Sequence, residues 1–159
     1  MIMPTEPSQL KHWRLQPENL KFYTCARPGR SKGSKGDVPD KMLHEWVEGL
    51  PVNSAITVVS LLGQKPATGR SEWSFYNFHK EGRTFQWWLN LKYPAKAIQI
   101  LEHPTTDMEP ISGMVMEAIA RDVRSSLSEG RTVIIMDSGG VTRTRAVCEF
   151  LEAVSAGLF

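Results

Sequence analysis

The stretch TVIIMDSGGVTRT, Thr132 to Thr144, decides how this chain is read. Five apolar, largely β-branched residues (Thr132 to Met136) predict a short strand buried on both faces, the pattern of a parallel sheet interior. Asp137, Ser138, Gly139 and Gly140 then form a tight turn. Val147, Phe150, Leu151 and Val154 recur at helical spacing beyond it. A loop between a strand end and a helix start gathers backbone N–H groups into one concavity, and the helix dipole favours an anion there. Gly139 and Gly140 remove side chains that would obstruct it. Arg143 stands at the start of the helix with a fork that matches an oxyanion in two parallel bonds, and Thr144 adds a hydroxyl. Ser138, Gly139, Gly140, Val141, Thr142 and Arg143 therefore predict a phosphate-sized pocket. A structural turn with Arg143 on the surface fits the same residues, because strand-to-helix turns are common.

The surrounding sequence predicts an α/β domain. AITVVSLL (Ala55 to Leu62) and AIQIL (Ala97 to Leu101) read as buried strands, KFYTC (Lys21 to Cys25) as an edge strand, and WSFYNF (Trp73 to Phe78) as a strand with aromatic alternation. Helices are predicted from Asp37 to Gly49, over Phe85 to Leu91, and from Ser112 to Gly130, where Val115, Ile119 and Val123 recur every fourth position. Residues 1–20, interrupted by Pro4, Pro7 and Pro17, read as a peripheral arm, and residues 21–159 as one domain. The basic loop RPGRSKGSKG (Arg27 to Gly36) reads as solvated, with Arg27, Arg30, Lys32 and Lys35 at its surface.

Composition narrows the class. At 159 residues and 41% hydrophobic, the chain is long and apolar enough for one core, which excludes a disordered chain. A net charge of +2 gives no general pull towards nucleic acid or anionic lipid, and the basic loop lacks the interleaved aromatics of a single-strand platform. No apolar run reaches membrane-spanning length, and the opening residues lack the pattern of a signal peptide. Two cysteines, Cys25 and Cys148, predict no disulfide framework and hence a reducing, cytoplasmic setting. The four histidines and two cysteines have no metal-ligand spacing, so neither metal nor other cofactor is predicted. Cys148 faces inward on the last helix and reads as core, as do Trp46, Trp73, Trp87 and Trp88.

VIIMDSGGVTRT resembles the signature loop of the protein tyrosine phosphatase superfamily, its dual-specificity branch above all. That pattern is a strand, His-Cys, five residues, Arg, and Ser or Thr. The resemblance covers roughly residues 22–156 and implies a compact domain with a central, mostly parallel sheet flanked by helices on both faces. It sets Met136 on the family's histidine and Asp137 on its nucleophilic cysteine. Gly140 falls on the loop glycine, Arg143 on the phosphate-binding arginine and Thr144 on the hydroxyl residue. EHPTTDMEPIS (Glu102 to Ser112) resembles the loop of the general acid, with Asp107 on the acid and Glu109 as its neighbour. The implied ligand is a phosphorylated protein or small phosphomonoester.

Two departures fall on the chemistry. A family member attacks phosphorus with a thiolate of depressed pKa, and this sequence offers the weaker nucleophile Asp137 and no histidine. The cysteine-dependent mechanism cannot run here. Three readings of Asp137 follow: a diverged domain that binds without turnover or with little, a carboxylate nucleophile, and a silencing substitution in an active enzyme. The concurrent loss of histidine favours divergence. A carboxylate is also long enough to fold into the cradle, pair with Arg143 and take the phosphate's own place.

Overall fold

The computed structural model describes residues 10–15, 20–30, 36–51, 55–139 and 141–155. Gly140, Lys32 and Lys35, singled out above, lie outside them. The elements run β1 (Lys11–Leu15), β2 (Leu20–Ala26), α1 (Asp40–Glu48), β3 (Ile56–Ser60), a 3-10 turn (Glu72–Phe75), α2 (Asn77–Lys80), α3 (Phe85–Lys92), β4 (Ile98–Glu102), α4 (Gly113–Ser128), β5 (Thr132–Asp137) and α5 (Thr142–Ser155).

One sheet of five strands has the order β1-β2-β5-β3-β4, with β5 parallel to both its neighbours and only β1 antiparallel. The apolar run of β5 is explained by its central place. Ile134 and Met136 join Leu43, Trp46, Val47, Phe85 and Trp88 in a core on the α1–α3 side. Val133 and Ile135 join Ile119, Val123, Val147 and Leu151 in a second core under α4 and α5. Period-two alternation thus feeds two helical layers from one strand. Three of the four tryptophans singled out, Trp46, Trp73 and Trp88, are buried. Among the described residues, no helix is long and apolar enough to cross a membrane.

Helix ends follow their side chains. The Ser112 hydroxyl accepts from Val115 N–H at 3.3 Å to start α4, and the Thr84 hydroxyl accepts from Trp87 N–H at 3.1 Å to start α3. Pro39, rather than Asp37, occupies the cap position of α1, and Asp37 pairs with Lys80 at 2.7 Å.

Three readings are corrected. Lys11–Leu15, inside the expected arm, is a strand paired residue for residue with β2. That pairing puts β2 in the sheet interior, not at its edge. Trp73–Phe78 is no strand: the Ser71 hydroxyl accepts from Trp73 N–H at 3.1 Å to open a 3-10 turn, and α2 follows. Its aromatics pack together across the junction, Tyr76 stacked on Phe78 and Trp73 tilted against both, with ring centroids 5.3–5.8 Å apart.

Candidate functional site

The C-terminal ends of β2, β5 and β3 converge where helices leave for opposite faces of the sheet, the crevice in which open α/β sheets bind ligands. Asp137 closes β5 there, only 2% exposed. Its carboxylate Oδ2 accepts from the backbone N–H groups of Arg143 and Thr144, each at 3.0 Å. These are first-turn amides of α5, without acceptors inside the helix, so the carboxylate caps the helix and meets the positive end of its dipole. Ser138 is nearly buried, while Gly139, Val141 and Thr142 are exposed. The loop therefore has a sealed floor of Asp137, Arg143 and Thr144 and an open rim. The Thr144 hydroxyl donates to Val141 O at 3.2 Å.

Arg143 is buried, not a surface group. Its guanidinium turns to Glu72 rather than to the Asp137 carboxylate: Nη1 and Nη2 each donate to a Glu72 oxygen at 2.7 Å. Nη1 also donates to the Thr105 hydroxyl at 3.1 Å and to Leu61 O at 3.3 Å. Asp107 Oδ1 lies 3.8 Å from Nη2, with the Asp107 side chain 36% exposed. Burial alone would pull the guanidinium pKa down, but Glu72, followed by Asp137 and Asp107, outweighs it and the net shift is upward. Glu72 is fully buried, and its Oε1 also accepts from Gly63 N–H at 2.9 Å. A Cβ at Gly63 would stand 2.0 Å from Thr105 O, so only glycine lets the segments after β3 and β4 close together around the arginine.

Arg27 belongs to the site as well, against the expectation of a solvated loop. It is 1% exposed. Its Nε donates to Ser138 Oγ at 3.4 Å, its Nη1 to Tyr76 Oη at 3.2 Å, and its backbone N–H to Asp137 O at 2.8 Å. The guanidinium lies 4.5 Å from the Phe75 ring centre. Burial pushes the Tyr76 phenol up to about 12, a rise that Arg27 opposes. Burial, with the charge of Asp137, likewise pushes the Cys25 thiol up. Cys148, buried in the core as expected, rises to about 12. Neither thiol offers a thiolate near neutral pH. His103 pairs with Asp122 at 2.5 Å, and among the described residues no three His, Cys, Asp or Glu side chains could hold a metal ion.

The structure thus gathers Asp137, Ser138, Arg143, Thr144 and Asp107 in one place. Glu72, Thr105, Gly63 and Arg27 complete that place without having been recognised in the sequence.

No protein-family model and no curated protein sequence matches the chain. Solved structures do. A kinase-associated phosphatase (KAP) with serine substituted for its catalytic-site cysteine superimposes with a TM-score of 0.61 at 16% identity, covering 94% of this chain and 76% of that one. Tk-PTP in its active form gives a TM-score of 0.52 at 17% identity, covering 87% and 71%. Identity this low is a likeness of fold. On sheet order, layering and these superpositions together, the chain has the fold of the protein tyrosine and dual-specificity phosphatases.

Proposed function

We propose that this chain is a phosphate-monoester-binding domain on a phosphatase fold, with turnover absent or weak. Its ligand is a phosphorylated protein or small phosphomonoester held by Ser138 to Arg143, and two buried, separate thiols suit a reducing, cytoplasmic setting. The observation that carries the reading is the placement of the Asp137 carboxylate. Its Oδ2 spends its lone pairs on two α5 amides, and an oxygen so engaged attacks phosphorus poorly. The same negative charge offsets the helix dipole and repels a phosphate dianion. The cradle is thereby biased towards weak binding and against chemistry.

Tungstate titration of the chain, of Asp137→Ala and of Arg143→Ala tests this. Binding is expected in the first, tighter binding in the second and none in the third. No binding at millimolar tungstate in either of the first two would overturn the reading. A protein-interaction module using another surface would instead keep its partner after Arg143→Ala.

One observation favours a second reading. Asp107 stands within ion-pair range of Arg143, where a general acid would serve the same phosphate. Asp137 would then attack phosphorus, the ester P–O bond would break as Asp107 protonates the leaving oxygen, and water would hydrolyse the acyl phosphate. A phosphorylated species released by hydroxylamine in a single turnover would establish this route.

A further inference from the structure

Arg27 is a buried cation whose described partners are all neutral: the hydroxyls of Ser138 and Tyr76 and the ring faces of Phe75 and Tyr76. Among the described residues the other buried guanidinium, that of Arg143, is matched by Glu72. Burying a charge without a counter-charge is costly, so Arg27 stands out in the fold. A second cation approaches the same ring. Lys65 Nζ lies 4.9 Å from the Phe75 centre, against 4.5 Å for Arg27, which puts the two charges within about 10 Å of each other, close to one screening length. Lys65 is half-buried and rooted at the mouth of the site, because the neighbouring Gln64 carbonyl accepts from Asp107 N–H at 2.9 Å. The nearby carboxylates are already engaged: Glu72 grips Arg143, Asp107 also faces it, and Asp137 Oδ2 caps α5. Two like charges at one aromatic ring beside a phosphate-sized loop are relieved by an anion held near both.

We propose that Lys65, Phe75 and Arg27 form a second anion subsite next to loop 137–144, which fits this domain to a ligand carrying a second phosphate beside the first. Lys65 makes the direct contact. Arg27, sealed beneath the rim, adds a charge whose field is little screened, and through Ser138 it ties the subsite to the loop. The inference rests on the phosphate-binding reading and names its ligand class.

Calorimetric titration with inorganic orthophosphate and pyrophosphate tests it, on the unaltered chain and on Asp137→Asn, whose amide oxygen still accepts from α5 while the charge is gone. Pyrophosphate is expected to bind at least about tenfold tighter than orthophosphate. Lys65→Ala should bring that ratio below about twofold, Lys65→Glu should abolish the preference, and Lys96→Ala, at the other end of the sheet, should leave it unchanged. Equal affinity for the two anions, or a preference that survives Lys65→Ala, overturns the second subsite while the phosphate-binding reading stands. Binding of neither anion overturns both.

Discussion

Asp137 does work that a thiolate in its place would do less well, since its oxygen accepts two helical amides at 3.0 Å and closes the end of α5. Asp137→Ala should therefore cost about 1 kcal/mol of folding stability through the lost cap while raising tungstate affinity, two opposite signs from one side chain. Denaturant unfolding and anion titration of the same protein read both. Glu72 answers to a different rule. Removing it strands a buried guanidinium, so Glu72→Ala should cost about 3–5 kcal/mol, far more than an exposed acid would. Equilibrium unfolding that shows less than about 1 kcal/mol would mean that Arg143 finds another partner. The residues of the loop were legible because Asp137 to Thr144 is one contiguous segment, where spacing alone aligns groups on a helix start. Glu72, Thr105 and Arg27 were not. A carboxylate in the turn-rich run Gly63 to Glu72 and an arginine in a glycine- and serine-rich loop carry no local mark that tertiary packing will bury them.

At the scale of elements, strand β5 and helices α3, α4 and α5 could be read from periodicity and capping, because each pattern reports a single face. Trp73–Phe78 misled because alternating aromatics are also produced when two short helical turns meet and stack their rings. Lys11–Leu15 was missed because an edge strand needs burial on only one side, and its prolines flank it instead of breaking it. The close approach of the segments after β3 and β4 could not be foreseen either, since only the structure shows Gly63 against Thr105. Gly63→Ala should push the two loops apart, lower thermal stability by about 2 kcal/mol and weaken anion binding together. Retained tungstate affinity in a stably folded Gly63→Ala protein would show that the loop contact does not position Arg143.

Across the whole molecule, the two cores on opposite faces of one sheet also seal groups that titrate only in base. The Tyr76 phenol moves from 10.0 to about 12 and the Cys148 thiol from 9.0 to about 12. Above about pH 9 the unfolded chain releases these protons while the folded chain still holds them, so the stability these two groups contribute is level below that pH and falls as pH rises towards 12. Denaturation midpoints that stay flat between about pH 8 and 11 would contradict the burial of both groups. The fold class and its layering were legible at this scale because a wholly apolar strand, a glycine turn and an amphipathic helix constrain one another. On the proposed reading, the chemistry this frame supports depends on the group at position 137.

Hydrolysis of a small aryl phosphate, by the chain as it stands and by its Asp137→Ala and Asp137→Cys variants, tests that point most directly. Little or no turnover is expected in the first two proteins and measurable turnover in the cysteine form, where a thiolate would join Arg143 and Asp107. Robust hydrolysis by the unaltered chain that disappears in Asp137→Ala would contradict that expectation, and would make Asp137 the nucleophile of a working phosphatase.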